Sequence, residues 1–319
     1  MEGVSLKQLN ISPYSGDTFH ESPIFLSLYR LLILNLNEFQ LACFFIVVDI
    51  MTAFVLSKVC LSQIQSICLI ENQRIKTKLV QGKKKTELNL NDELYSNLLV
   101  KLDSALASSF WTMAIYLLSP YSILSCVGQT TSVIGNFLIS LTLLTATSGW
   151  RMSSLLLLAL LSVNSFYPLI FLPAIILFLE QKYRLKKFVN EKKIFSKDQD
   201  YLNIDIKASI TQFSIFFSVF LFIFFYSLLL LTSFIIENRS FQFIQSTYIF
   251  MYVIFFFLLL LPNDIILYYL RWTVSDLTPN IGLFWYFFTE MFDHFRDFFL
   301  WVFQINYFIY IIPLTINFW

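Results

Sequence analysis

Lysine and arginine are nearly absent from long stretches of this 319-residue chain and crowded into two short ones. Seven of the 22 lie between Glu71 and Asp103 (Arg74, Lys76, Lys78, Lys83, Lys84, Lys85, Lys101). Eight more lie between Glu180 and Lys207 (Lys182, Arg184, Lys186, Lys187, Lys192, Lys193, Lys197, Lys207). Residues 104–179, between the two clusters, carry one charge, Arg151. Charged residues make up 13% of the chain, about half the roughly 25% of an ordinary globular protein. Hydrophobic residues make up 57%, more apolar surface than a soluble fold of this size can hide. With a mean hydropathy of +0.68, the solvent of this chain is lipid. An all-α polytopic membrane protein is predicted.

The positive-inside rule places both basic clusters on the cytosolic side, as loops near 71–103 and 180–207. The span between them therefore crosses an even number of times. Its runs 104–118, 131–147, 152–166 and 169–179 are separated by Ser119-Pro120-Tyr121, by Gly128–Ser132, by Arg151 and by Tyr167-Pro168. Four crossings return Arg151 to the cytosolic face, but each run falls short of the ~20 residues that span a bilayer. Two crossings kinked at Pro120 and Pro168 are the competing count. Either predicts a bundle with a cavity, because freed backbone groups at such breaks need protein or water around them. Upstream, Phe39–Gln63 reads as a span interrupted by Asp49, and Pro23–Leu36 as a helix lying in the interface. Residues 1–38 are thus expected to form a luminal loop with an interfacial helix, and 39–319 the transmembrane bundle. No signal-peptide pattern precedes them. Ala208–Ile236 fits one tilted span. Phe243–Leu261 and Phe284–Phe318 are further apolar runs, and one crossing is expected within 208–261, the other run being interfacial or re-entrant. Asn238 and Asn10 open N-glycosylation sequons on the predicted luminal side, with Pro13 close behind the second.

Polar clusters are expensive in lipid and mark candidate sites. The first is Ser12–Pro23, with Asp17, His20 and Glu21. It reads either as a luminal head-group or catalytic site, or as a loop whose Pro, Gly and Ser set turns and whose Asp17 caps the following segment. The second is Ser275–Phe295, where Asp276, Thr278, Pro279, Asn280 and Gly282 form a helix-entering turn and Trp285 and Tyr286 follow at interface depth. Glu290 and His294 are four residues apart and share a helix face, with Asp293 and Asp297 beside them. That face meets a polar ligand, or it fixes helix packing by interhelical hydrogen bonds. Asp49 poses the same choice.

Catalytic chemistry finds little support. The cysteines Cys43, Cys60, Cys68 and Cys126 have no paired spacing for disulfides or zinc. The first three belong in or at the cytosolic end of the first span, away from His20; Cys126 is left as the one luminal thiol for a Cys–His pair. Two histidines without HExxH argue against a zinc hydrolase. Asp17 and Glu21 offer acids for glycosyl transfer, without Asp-X-Asp in that loop. Seven scattered glycines make no phosphate loop, and a net charge of +1 gives no field for nucleic acid. No cofactor or metal is expected.

The chain resembles the phosphatidylinositol glycan class U family, the multi-span subunit of GPI transamidase. The resemblance rests on Ser12–Pro23 (SPYSGDTFHESP), Leu118–Val127 (LSPYSILSCV), Tyr167–Pro173 with the following LFLEQKYR, and above all Asp276–Asn306 (DLTPNIGLFWYFFTEMFDHF…VFQIN). It implies a multi-pass protein of the endoplasmic-reticulum membrane, partnered by other transamidase subunits including a cysteine-protease-like catalytic one. That complex replaces a C-terminal signal by the ethanolamine of a GPI lipid, and the class U subunit helps bind the glycolipid without forming bonds. The fold implied is a multi-helix bundle similar to GT-C-type glycosyltransferases. Asp276, Asn280, Trp285, Glu290 and His294 are then the candidates for contact with GPI, supported by Asp17, His20 and Glu21 in the luminal loop. The family has a helix before the SPYSG loop and several spans after the VFQIN helix, so a chain lacking its first and last transmembrane helices, a fragment or truncated form, is expected. The alternative is a luminal mannosyltransferase using a polyprenyl-phosphate donor, with Asp17 or Glu21 as base or metal ligand. A transporter would show symmetry between halves, and none is found.

The topology has a direct check. Cysteines introduced as Lys84→Cys and Lys197→Cys are expected to react with a membrane-impermeant reagent only from the cytosolic face. Asn238 should carry a glycan removable by endoglycosidase. Labelling of the two cysteines from opposite faces would overturn the even-crossing assignment.

Overall fold

The computed structural model describes residues 2–15, 19–80, 102–165, 167–194 and 212–237, with isolated positions at 243–244, 294, 309–311, 313 and 315. Every regular element among them is helical. In chain order these are α1 (Glu2–Gln8), a 3-10 turn (Pro13–Ser15), α2 (Pro23–Asn35), α3 (Glu38–Val80), α4 (Leu102–Leu118), α5 (Pro120–Val127) and α6 (Ser132–Ser148). They continue with α7 (Arg151–Asn164), a second 3-10 turn (Tyr167–Ile170), α8 (Phe171–Ile194) and α9 (Gln212–Ile236).

The helix boundaries follow local chemistry. Pro23 and Pro120 open α2 and α5 at a first-turn position, where the missing N–H costs nothing. Pro120 also breaks the run before it: Ser119 is extended, and α4 and α5 meet at 51°. At three helix ends the chain turns through a left-handed residue: Asn10 (φ 58°), Gln129 (φ 48°) and Gly149 (φ 80°). Each end carries the same pair of bonds, as in Asn10 N–H to Lys7 O and Ile11 N–H to Leu6 O after α1, or Gly149 N–H to Ala146 O and Trp150 N–H to Thr145 O after α6. This is the Schellman arrangement, which satisfies the last carbonyls. Asn10, a predicted glycan acceptor, is thus also the exposed cap residue of α1. The helix α1 itself falls where the sequence suggested only a loop. Lys7 in its last turn complements the helix dipole, and Val4 is buried.

The passes alternate in direction. Asp49 of α3 meets Tyr116 of α4, and eight residues later Ser57 meets Ser109, so α3 and α4 are antiparallel. Leu41 and Phe45 near the start of α3 pack with Val133 and Ile134 at the start of α6, beneath Phe25 of α2. The larger core joins Ala146 of α6, Leu155, Leu158 and Ala159 of α7, Ile175, Ile176, Phe178 and Leu179 of α8, and Leu221 and Phe222 of α9. Helix α7 is the innermost, with Ser154, Leu155, Ala159, Ser162 and Val163 fully enclosed. At one end of the bundle Arg151, at the start of α7, pairs with Glu180 of α8 at 3.5 Å and donates to Ser214 of α9 at 2.9 Å. Ser214 in turn donates to Glu180 at 2.6 Å. Lys182 donates to Ser66 of α3 at the same end. Between the two basic stretches α4–α5, α6, α7 and α8 therefore alternate in direction, with Arg151 beside the start of the second basic stretch.

Two helices among the described residues are long and apolar enough to cross a membrane, Glu38–Ile67 within α3 and Ser214–Ile236 within α9; the bent α4–α5 pair makes a third if it is one span. At about 1.5 Å per residue, α6 and α7 reach roughly 25 and 21 Å, short of a ~30 Å hydrocarbon layer. Helix α2, at 13 residues, is too short to cross. It buries Pro23, Phe25 and Leu26 and exposes Leu28, Leu31 and Leu34, two apolar sides that suit a helix at an interface. Only 17% of the apolar stretch of α9 is buried within the chain. Phe216, Phe220, Ile223, Phe224 and Leu231 cover its exposed side.

The α3–α4 seam closes on small residues, Ser57 facing Ser109, with Ala53 and Ala105 buried one turn away on their own helices. The Ser57 and Ser109 hydroxyls lie 2.6 Å apart, and Ser109 Oγ also reaches the Ser57 backbone carbonyl at 3.2 Å. Only side chains this small allow helix backbones so close. Ser109→Leu is expected to part the two helices and lower the thermal midpoint of the purified protein, whereas Ser109→Ala costs about 0.6 kcal/mol. Equal midpoints for Ser109→Leu and the native chain would refute the close-packed seam.

Candidate functional site

At the end of the bundle opposite Arg151, residues 13–15 and 19–22 pack against α1, α7 and α9. The 3-10 turn at Pro13–Ser15 drives Tyr14 into the protein, where it is 7% exposed. Its ring packs against Phe19 (centroids 5.5 Å apart) and Phe243 (6.4 Å), and its hydroxyl donates to the backbone carbonyl of Glu21 at 3.0 Å. Phe19 lies under α1 so closely that a Cβ at Gly3 would stand 2.8 Å from its ring. Ser22 is fully buried. Its backbone N–H and hydroxyl both donate to Asn164 Oδ1, at 3.2 and 3.4 Å, at the last residue of α7. An ion pair of 3.2 Å between Lys7 and Glu237 ties α1 to the end of α9. Burial first, and the charges of Glu237 and Glu21 second, hold the Tyr14 hydroxyl protonated well above the usual phenol range.

These ties fix the segment carrying His20 and Glu21. His20 Nε2 and Glu21 Oε2 are both turned inward and buried. Tyr29 of α2 and Thr131, just before α6, face the Glu21 carboxyl closely enough to favour its charged form. The Tyr29 hydroxyl stands in turn between the Glu21 carboxyl and Thr131. Burial outweighs these neighbours and raises the carboxyl above its ordinary value.

A second polar group sits inside the bundle. Asp49 is 7% exposed and accepts a hydrogen bond of 2.7 Å from Tyr116. Thr52 and Asn136 border the Tyr116 hydroxyl, and Cys126 borders the carboxylate. The choice left open for Asp49 is settled in favour of pairing: it joins α3 to α4 next to the bend at Pro120. Cys126, the one thiol left open for a Cys–His pair, has Asp49 as its acidic neighbour. Among the described residues no group of three or more His, Cys, Asp or Glu could hold a metal.

Of the residues singled out from sequence, the structure therefore brings His20 and Glu21 together with Tyr14, Tyr29, Thr131 and Asn164. His294 is described and exposed. Asp17, Asp276, Asn280, Trp285, Glu290 and Asn238 lie outside the described residues. Tyr29, Thr131 and Asn164 were missed. For Thr131 and Asn164 the available signal was a place at the end of an apolar run on the same side as the loop: Thr130-Thr131-Ser132 opens one run and Asn164-Ser165 closes another.

An α-helical bundle of apolar passes, with a polar loop tied down at one end, defines a multi-pass membrane protein. The chain belongs to the PIG-U family, whose model, described as GPI transamidase subunit PIG-U, matches residues 1–319. It is 34% identical over 321 residues to the human GPI-anchor transamidase component PIGU, covering 99% of this chain and 60% of that protein. The mouse component of the same name is also 34% identical, with the same coverage. The fission-yeast GPI transamidase component GAB1 homolog is 60% identical over 42 residues, 13% of this chain and 10% of that protein. The chain thus spans about 60% of the length of the mammalian relatives it matches.

The raised Glu21 carboxyl has a definite sign. The folded state holds that proton more tightly than the unfolded chain, so the stabilisation is complete below the ordinary carboxyl range and is lost as pH rises through the raised value. Glu21→Gln, which keeps the shape and removes the charge, should gain thermal stability relative to the native protein as pH rises and converge with it in acid. A gap that widens in acid instead would show the carboxylate to be stabilised by its surroundings.

Proposed function

We propose that this chain is a non-catalytic membrane subunit of a GPI transamidase complex, working in the endoplasmic-reticulum membrane. It helps to bind the GPI lipid, the protein precursor or both while the anchor is attached. The observation that carries this reading is the family match over residues 1–319. The bond-forming cysteine belongs to another, cysteine-protease-like subunit. In keeping with that, the thiol of Cys126 borders Asp49 within the bundle. The bundle is read as GT-C-like, with the loop at 12–23 as its first luminal loop and the basic end toward the cytosol.

A glycolipid needs apolar surface for its acyl chains and hydrogen-bonding groups at head-group depth. The far end offers both: exposed leucines on α2 and apolar flanks on α9 beneath a loop bearing His20 and Glu21. Asp276, Asn280, Trp285, Glu290 and His294 are assigned to the head-group side of the same lipid, with Asp17 in the supporting loop.

The test is complementation. In cells lacking their own class U subunit, the gene for this protein should restore surface display of a GPI-anchored reporter and co-purify with a cysteine-protease-like subunit. Alanine at Asn280, Glu290 and His294 together should cut display severalfold while the complex still assembles. Intact display with the triple variant would remove that island from the site. Mannose transfer from a polyprenyl-phosphate donor by the purified protein alone would replace the subunit reading with the enzyme one.

A further inference from the structure

Lys7 and Arg151 each hold a carboxylate, Glu237 and Glu180; Lys182 holds none among the described residues. Its ammonium donates to the Ser66 hydroxyl of α3 and stands 5.7 Å from the centre of the Phe178 ring. Ser66 gives its own proton to the Ser62 carbonyl at 2.6 Å, so it only accepts from Lys182, and two ammonium N–H groups remain. Burial, with no acid to offset it, pulls this ammonium below the usual lysine range. Its depth is set by the two spans beside it. Ser66 is the last residue but one of the apolar stretch Glu38–Ile67. Ser214, bonded to Glu180 two residues before Lys182, opens the stretch Ser214–Ile236. Tyr183, the next residue, is exposed and lies under the Arg151 guanidinium, the position of an interfacial aromatic. Lys182 thus lies where the apolar layer ends and the head groups begin. Beyond it both helices run on. Helix α8 carries six basic residues against one acid from 182 to 194, and α3 three against one from 68 to 80.

We infer that the cytosolic ends of α3 and α8 seat the phosphate of an anionic phospholipid, held by Lys182 beside Ser66. A phosphodiester supplies both the negative charge and the acceptor oxygens that this ammonium lacks. The basic turns that continue from both helices select a head group of net negative charge. Juxtamembrane lysines and arginines attract anionic lipid by about fivefold per residue close to the surface. A choline head group carries its own cation into the same field and gains less. An acidic protein segment matches the charge but must descend to the edge of the apolar layer, where unpaired backbone groups are costly. The site is independent of the transamidase role. It takes from the proposed placement only that the basic end faces the cytosol.

The test uses the protein purified in detergent with its bound subunits, and calorimetry with four probes. These are a short-chain phosphatidylglycerol, its phosphatidylcholine counterpart, glycerophosphoglycerol as the deacylated head group, and a glutamate-rich peptide. The anionic lipid should bind about fivefold more tightly than the zwitterionic one, or better. The preference should shrink as added salt shortens the Debye length. Lys182→Gln should cancel most of it without lowering the thermal midpoint, since it removes a half-buried cation that no acid pairs. Lys182→Arg keeps the charge and should keep the preference. Its loss in Lys182→Arg as well would trace the effect to the fold and sink the proposal. Equal affinity for the two lipids, or a preference that survives Lys182→Gln, would overturn it. Glycerophosphoglycerol binding as tightly as the lipid would mark a site for soluble anions and remove the lipid from it. Tighter binding of the peptide than of the lipid would hand the surface to an acidic protein partner, again against the proposal.

Discussion

The α3–α4 seam is the contact from which the rest of the bundle takes its position. Helices in lipid gain nothing from burying apolar surface against one another, since lipid tails are equally apolar; close packing and interhelical hydrogen bonds must do the work. Here Ser57 and Ser109 bring two backbones together, and Asp49 with Tyr116 fixes the register two turns further along α3. The charged or strongly polar residue that lipid would exclude becomes the one that specifies alignment. Because the bend at Pro120 follows directly on Tyr116, the same lock also sets where the chain turns into α5 and α6.

The remaining polar ties are segregated to the two ends. Arg151, Glu180 and Ser214 join α7, α8 and α9 at one end; Ser22 with Asn164 and Lys7 with Glu237 close the other. Between them lies the apolar core around α7. This division suits the shortness of α7, which begins at Arg151 and ends at Asn164, both bonded to neighbouring elements. The loop carrying His20 and Glu21 is therefore held by the end of α7.

Much of this order was legible in the sequence. The scarcity of charge predicted the solvent, and the lone Arg151 predicted a return of the chain to the basic end. Pro120 predicted a break and Pro23 a helix start, both close to where they occur. Other features were hidden for physical reasons. Helix α1 is too short to persist alone and owes its order to tertiary contacts of Val4 and Gly3, which no local pattern reveals. Tyr29 sits in an apolar helix and looks like any interfacial aromatic; its importance comes from facing Glu21 across a loop. Asn164 reads as an ordinary helix terminus, yet it is the acceptor for a serine 142 residues earlier.

That separation has a consequence in time. Chains emerge during synthesis at about 5–20 residues per second, so Ser22 waits roughly 7–28 seconds for Asn164 to be made. Until then the segment bearing Glu21 has neither of the two bonds that fasten it to α7. A nascent chain interrupted before α7 would lack both of these bonds. The Ser22–Asn164 clasp thus closes only after most of the described bundle has been synthesised.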